Sequence, residues 1–166
     1  EKLKIEELDE DTLLQKVQIP LLLKSDEGII EVKYNVLYAI FKFYRLKKNF
    51  DSGYLKELKK IEAAVFLSVT KKQVSLVDLL LPKDFIVNEN DTLFEVLNLD
   101  RLYIPHHIRI ELRKEETRQQ FKQFLIHCGI RYLPKFELIK KKYEDIYHFS
   151  SNTKELYNAF LMNVRN

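Results

Sequence analysis

Apolar residues recur along this chain at two spacings, and the spacing changes several times. From Leu37 onward the apolar positions Leu37, Ile40, Phe41 and Tyr44 fall at helical intervals, which predicts a helix from about Val36 to Lys48. Asp51 or Ser52 is placed to cap a second helix, about Gly53 to Val69, whose stripe is Leu55, Leu58, Ile61 or Glu62, Val65 and Val69. A third, Ser75 to Leu81, stops before Pro82. Further on, Glu115 to Cys128 reads as a helix with Gly129 as its C′ residue. The tail reads as two more, about 135–148 and 153–164, the second capped by Ser151 or Asn152.

Elsewhere the period is two. Ile30, Val32, Tyr34 and Val36 alternate with Glu31, Lys33 and Asn35, and apolar Val17 to Leu23 precedes them across the turn residues Ser25-Asp26-Glu27-Gly28. Together they predict a β-hairpin, with Pro20 marking an edge strand. Ile108, Ile110 and Leu112 alternate in the same way, predicting a strand over about 106–113. A short strand at Phe85–Val87, a turn at 88–91 and the capping-box pattern Thr92-Leu93-Phe94-Glu95 lie between. Upstream, acidic Glu6–Asp11 leads into a short helix over Thr12–Val17, capped by Asp11.

The fold class that follows is α+β and mainly helical: a helical core with one or two small antiparallel β-hairpins. Three helices over 36–81 followed by a hairpin at 85–96 loosely resemble a winged helix. Residues 1–166 are expected to form a single globular domain, with 1–16 an acidic N-terminal segment and 17–166 the core.

Composition narrows the function classes. Hydrophobic residues are 46% of the chain, enough for a core. With three glycines there is no Gly-rich phosphate loop. The one cysteine, Cys128, forms neither an internal disulfide nor a Cys-based zinc site, and is expected to be a buried, inert thiol. No apolar run approaches the ~20 residues of a membrane span. The start, Glu1-Lys2-Leu3-Lys4, is neither an initiator Met nor a signal peptide, so the chain reads as a domain excised from a longer intracellular protein, nuclear or cytoplasmic.

Two arrangements bear on chemistry. On a strand, Glu31 and Lys33 point to the same side, and Gly28-Ile29-Ile30-Glu31-Val32-Lys33 locally resembles the second half of the PD-(D/E)xK nuclease motif. That family holds a divalent metal with an Asp on the preceding strand; here Val17–Leu23 carries no acid. His106-His107 and His127-Cys128 are adjacent pairs, a spacing that chelates nothing by itself on a strand or a helix. No catalytic residue, metal or cofactor is therefore expected.

Charge is uneven within a net +3: residues 1–31 carry −5, 33–60 carry +6, 61–100 carry −4 and 101–142 carry +7. Lys42, Arg45, Lys47 and Lys48 are interleaved with Phe43 and Tyr44, and Arg109, Arg113, Lys114, Arg118 and Lys122 continue the second block. If the blocks share a face, they suit DNA or RNA phosphates. The leading expectation is a non-enzymatic interaction domain that binds another protein chain, through the acidic segment and through Leu156, Tyr157, Phe160 and Leu161. The nucleic-acid domain and the metal-dependent nuclease centred on Glu31 and Lys33 are its alternatives.

Overall fold

A computed structural model describes residues 9–24, 29–47, 50–81 and 100–132. The first helix, α1, is capped by Asp9, whose carboxylate accepts from Thr12 N at 2.7 Å, rather than by Asp11. It runs through Glu10–Leu13, a π-helical stretch at Leu14–Gln18 and Ile19–Leu23. The wider turn has a cause: Pro20 lacks an N–H and its ring crowds the carbonyl four residues back, which a π-turn relieves. Next come α2 at Ile30–Leu46 and α3 at Ser52–Lys59 with a 3₁₀ extension at Lys60–Ala63. Strands β1 (Val65–Leu67) and β2 (Gln73–Ser75) follow, then a 3₁₀ turn at Leu76–Asp78 and β3 (Leu80–Leu81). After residue 100 come α4 (His106–Glu111), α5 (Glu115–His127) and β4 (Arg131–Tyr132).

The mainly helical α+β class holds, but not the positions of its strands. Both expected strands of the hairpin over 17–36 are helical, at 17–23 and 30–36, with Lys24 extended after the first. Ile30, Tyr34, Leu37, Phe41 and Tyr44 form one buried stripe at 3.6-residue spacing, and the period-two pattern was a short window within it. Val32, which a strand would have buried with Ile30, is 45% exposed, while Lys33 is 1% exposed. The expected strand over 106–113 is likewise α4, with Ile108 and Leu112 buried one turn apart and Ile110 outside.

Two expected helices are shortened or replaced. Asp51 caps α3 as anticipated, accepting from Tyr54 N at 2.6 Å, but the α-helix stops at Lys59 and the chain turns extended at Ala64. Val65–Leu67 then pairs antiparallel with Gln73–Ser75, burying Phe66 between flanks that are half-exposed. The expected helix at 75–81 is the end of β2, the 3₁₀ turn and β3, so the winged-helix triplet is not formed. The helix at 115–128 and its Gly129 stop are as predicted: Gly129 has φ +103°. The elements expected at 85–96, 135–148 and 153–164 lie outside the described residues.

Asp100–Tyr103 joins the two strand pairs. Val69 N donates to Arg101 O and Tyr103 N to Leu67 O on one side, while Leu80 N donates to Asp100 O on the other. β3 pairs in parallel with β4, Leu80 opposite Arg131. The helices lie against one another through aromatic rings: Phe41 of α2 meets Phe121 of α5 edge-on at 4.9 Å and Phe124 at 5.6 Å. No helix among the described residues is long and apolar enough to cross a membrane.

Candidate binding clefts

The larger cleft opens where α2 begins. Its volume is about 590 Å³, and its walls are the first turns of α2 (Ile30, Glu31, Tyr34, Asn35), the end of β1 and the following turn (Leu67, Lys71), and Tyr103, Pro105, His106 and His107. Tyr34 fixes one wall to the other. Its hydroxyl donates to Leu67 O and accepts from Leu67 N, both at 3.1 Å, and burial raises the phenol above its usual pKa. Tyr103 lies edge-on to Tyr34 at 6.2 Å. Asn35 Oδ1 accepts from His107 Nε2 at 2.9 Å, tying α4 to α2. Lys71 sets its ammonium 3.8 Å from the centre of the Tyr103 ring.

Glu31 and the adjacent pair His106-His107 thus come from two segments far apart in sequence to one cleft. They do not form a metal centre: among the described residues no three His, Cys, Asp or Glu side chains lie close enough to hold an ion. Nor does Glu31 stand beside Lys33, as the nuclease motif requires. Two residues apart on a helix are turned about 200° from each other; Glu31 is exposed at the cleft, whereas Lys33 points inward, its Nζ 3.4 Å from Val65 O. Tyr34, Asn35, Lys71 and Tyr103 carried no sequence signal. Only the fold that brings positions 30–35, 67–71 and 103–107 together makes them neighbours.

The basic residues on and against α5 occupy two of its flanks. Arg45 Nε donates to Gln120 Oε1 at 2.7 Å, and Tyr44 OH is hydrogen-bonded to His127 Nδ1 at 3.0 Å, so α2 lies along the flank of α5 that carries Gln120 and His127. Arg118 and Lys122 lie on the opposite flank, where Arg118 pairs with Glu115 and Lys122 lies over the Tyr132 ring. Lys42 stands over Tyr38, and Lys47 is bound to Asp11 at 2.7 Å. Arg113 and Lys114 are exposed at the α4–α5 junction. Arg109 is half-buried, with its Nε out of solvent and without a hydrogen-bond partner among the described residues. Lys48, Leu156, Tyr157, Phe160 and Leu161 lie outside the described residues.

Where α2 ends there is a second, shallower groove of about 320 Å³, lined by Tyr44, Arg45, Lys47, Phe50, Gln119, Gln120 and Gln123. Phe50 stacks on Tyr44 with ring centres 4.5 Å apart and planes 16° from parallel. At the end of α5, Cys128 is fully buried, and burial pushes its thiol well above its usual pKa, the state of an unreactive core residue.

Comparison with known protein families, curated proteins and solved structures returned no match.

Proposed function

We propose that this chain is a non-enzymatic interaction domain of an intracellular multiprotein assembly, and that a segment of a partner protein enters the cleft at the start of α2. The observation that carries this reading is the cleft's lining. Tyr34 and Tyr103 are held by packing and hydrogen bonds, while Glu31, Asn35, Lys71, His106 and His107 surround them with polar groups. Rigid aromatics offer contact area at little entropic cost, and polar side chains placed around them fix a ligand's orientation. The 153–164 segment remains a second proposed contact element of the same domain.

A photo-crosslinking amino acid placed at Asn35, in the cleft, is expected to form one discrete adduct in the native lysate. The same group at Lys56, exposed on α3, is expected to form none. Adducts of equal yield at both positions, or none at Asn35, would sink this reading.

A nucleic-acid role is the second reading, and the groove of Tyr44, Phe50, Arg45 and Lys47 favours it, because stacked aromatics beside cations and amides suit unpaired bases. Binding of single-stranded DNA or RNA there is expected to weaken steeply between about 50 and 200 mM salt. Reversing the charge of Arg45 should flatten that slope, whereas reversal of Arg118, across α5, should leave it nearly unchanged. Absence of any mobility shift at low salt and tens-of-micromolar protein excludes this reading.

A further inference from the structure

Among the described residues Lys71 is the only non-glycine with positive φ, at 66°. The turn that follows β1 imposes this conformation. Lys71 N donates to Ser68 O, Lys72 N to Ser68 Oγ, and Ser68 N to Lys72 O. A left-handed backbone suits glycine or asparagine and disfavours a long side chain. Lysine at this position therefore works against the local conformation, and such outliers gather at ligand clamps.

What lysine supplies there is an ammonium in the wall of the larger cleft. The neighbouring Lys72 approaches Asp100 at 3.9 Å, but Lys71 forms no ion pair with any described carboxylate and rests on the Tyr103 ring. The face of the ring leaves the ammonium's outward N–H groups available. His106, exposed in the same lining, adds a second donor, while His107 is already engaged with Asn35. Glu31 is the one acid among the lining residues and stands on the α2 wall, so a negative group is directed away from it toward the turn.

We infer that Lys71, supported by Tyr103 and His106, binds an oxyanion, a carboxylate or phosphate group of the ligand that enters this cleft. The inference rests on the cleft being the binding site proposed above. Lysine is a point-charge donor suited to either group.

The test is amide NMR titration of the whole chain at constant ionic strength with three probes: end-blocked glutamate, inorganic phosphate and end-blocked lysine. Glutamate or phosphate is expected to shift the Lys71, Tyr103 and His106 amides, and end-blocked lysine is not. The tighter of the two anions identifies the source, a carboxylate side chain or a phosphoryl group. K71G and K71Q should each weaken that binding about tenfold, the loss of one charge-assisted contact. K71G should also melt no lower than the parent, since glycine relieves the left-handed strain. Anion binding unchanged in both variants, or no anion-induced shift at these amides in the parent, overturns the inference. An Asn35 adduct that persists undiminished in K71Q removes only the oxyanion claim, whereas loss of the adduct from the parent chain removes the cleft reading beneath it.

Discussion

Replacing Phe41 with alanine is expected to lower the stability of the domain by about 3–5 kcal/mol, the range for removing a buried aromatic ring from a core. Phe41 is fully buried on α2 and touches three rings at once: Tyr38 on its own helix, and Phe121 and Phe124 on α5. The lost ring takes with it the transfer energy of its surface and the edge-on contacts between the helices. The cavity does not collapse cheaply, because the neighbouring side chains belong to two helices whose backbones are fixed elsewhere. Urea unfolding gives the measurement: the midpoint should fall with the slope unchanged. Val32→Ala, on the exposed side of the same helix, should stay within about 0.5 kcal/mol of the parent. Equal effects at the two positions would show that α2 does not present this face to α5.

Lys33→Met is expected to act in the opposite direction and to stabilise the domain by about 1–2 kcal/mol near neutral pH, within the range found when buried charges give way to apolar side chains. Lys33 lies 1% exposed between α2 and β1, and its only hydrogen bond among the described residues is a long one to the Val65 carbonyl. An ammonium taken out of water with one weak acceptor is held below its ordinary value of 10.5 by desolvation. The sign of the pH dependence follows. Over the window between the lowered folded value and 10.5, the unfolded chain binds more protons at this site than the folded one, so stability rises with pH. Methionine removes that rise, and the gain from the substitution should shrink as pH increases.

Tyrosine ionisation works against this trend at higher pH. Burial raises the Tyr34 and Tyr54 phenols above their ordinary value of 10.0, so their contribution is complete below that pH and is lost above it. The comparison of parent and Lys33→Met therefore belongs below pH 10, where the phenols are neutral in both folded and unfolded chains. Thermal melts at several pH values test it. A substitution that destabilises at every pH would mean that the Lys33 ammonium is stabilised where it lies.

The sequence by itself determined the mainly helical α+β class and the elements whose stabilising contacts are local. Asp51 caps α3 through a bond three residues along, and Glu115–His127 ends at a glycine whose φ of +103° marks the turn. Cys128 was legible as a buried thiol because it continues the apolar stripe of α5. Tertiary structure decided the rest. Seven alternating residues at 30–36 fit a strand and a helix equally well, and only the continuation to Leu37, Phe41 and Tyr44, packed on α5, selects the helix. At 64–81 the backbone bonds run to partners far along the chain, Leu67 to Tyr103 and Leu80 to Asp100 and Arg131, which no local spacing encodes. The larger cleft has the same origin: Glu31, Lys71 and His106 share it because α2, the turn after β1 and the start of α4 meet there. Arg45 on one flank of α5 and Arg118 and Lys122 on the other are separated for a related reason, since charge counted along the sequence does not say which side of a helix a residue faces.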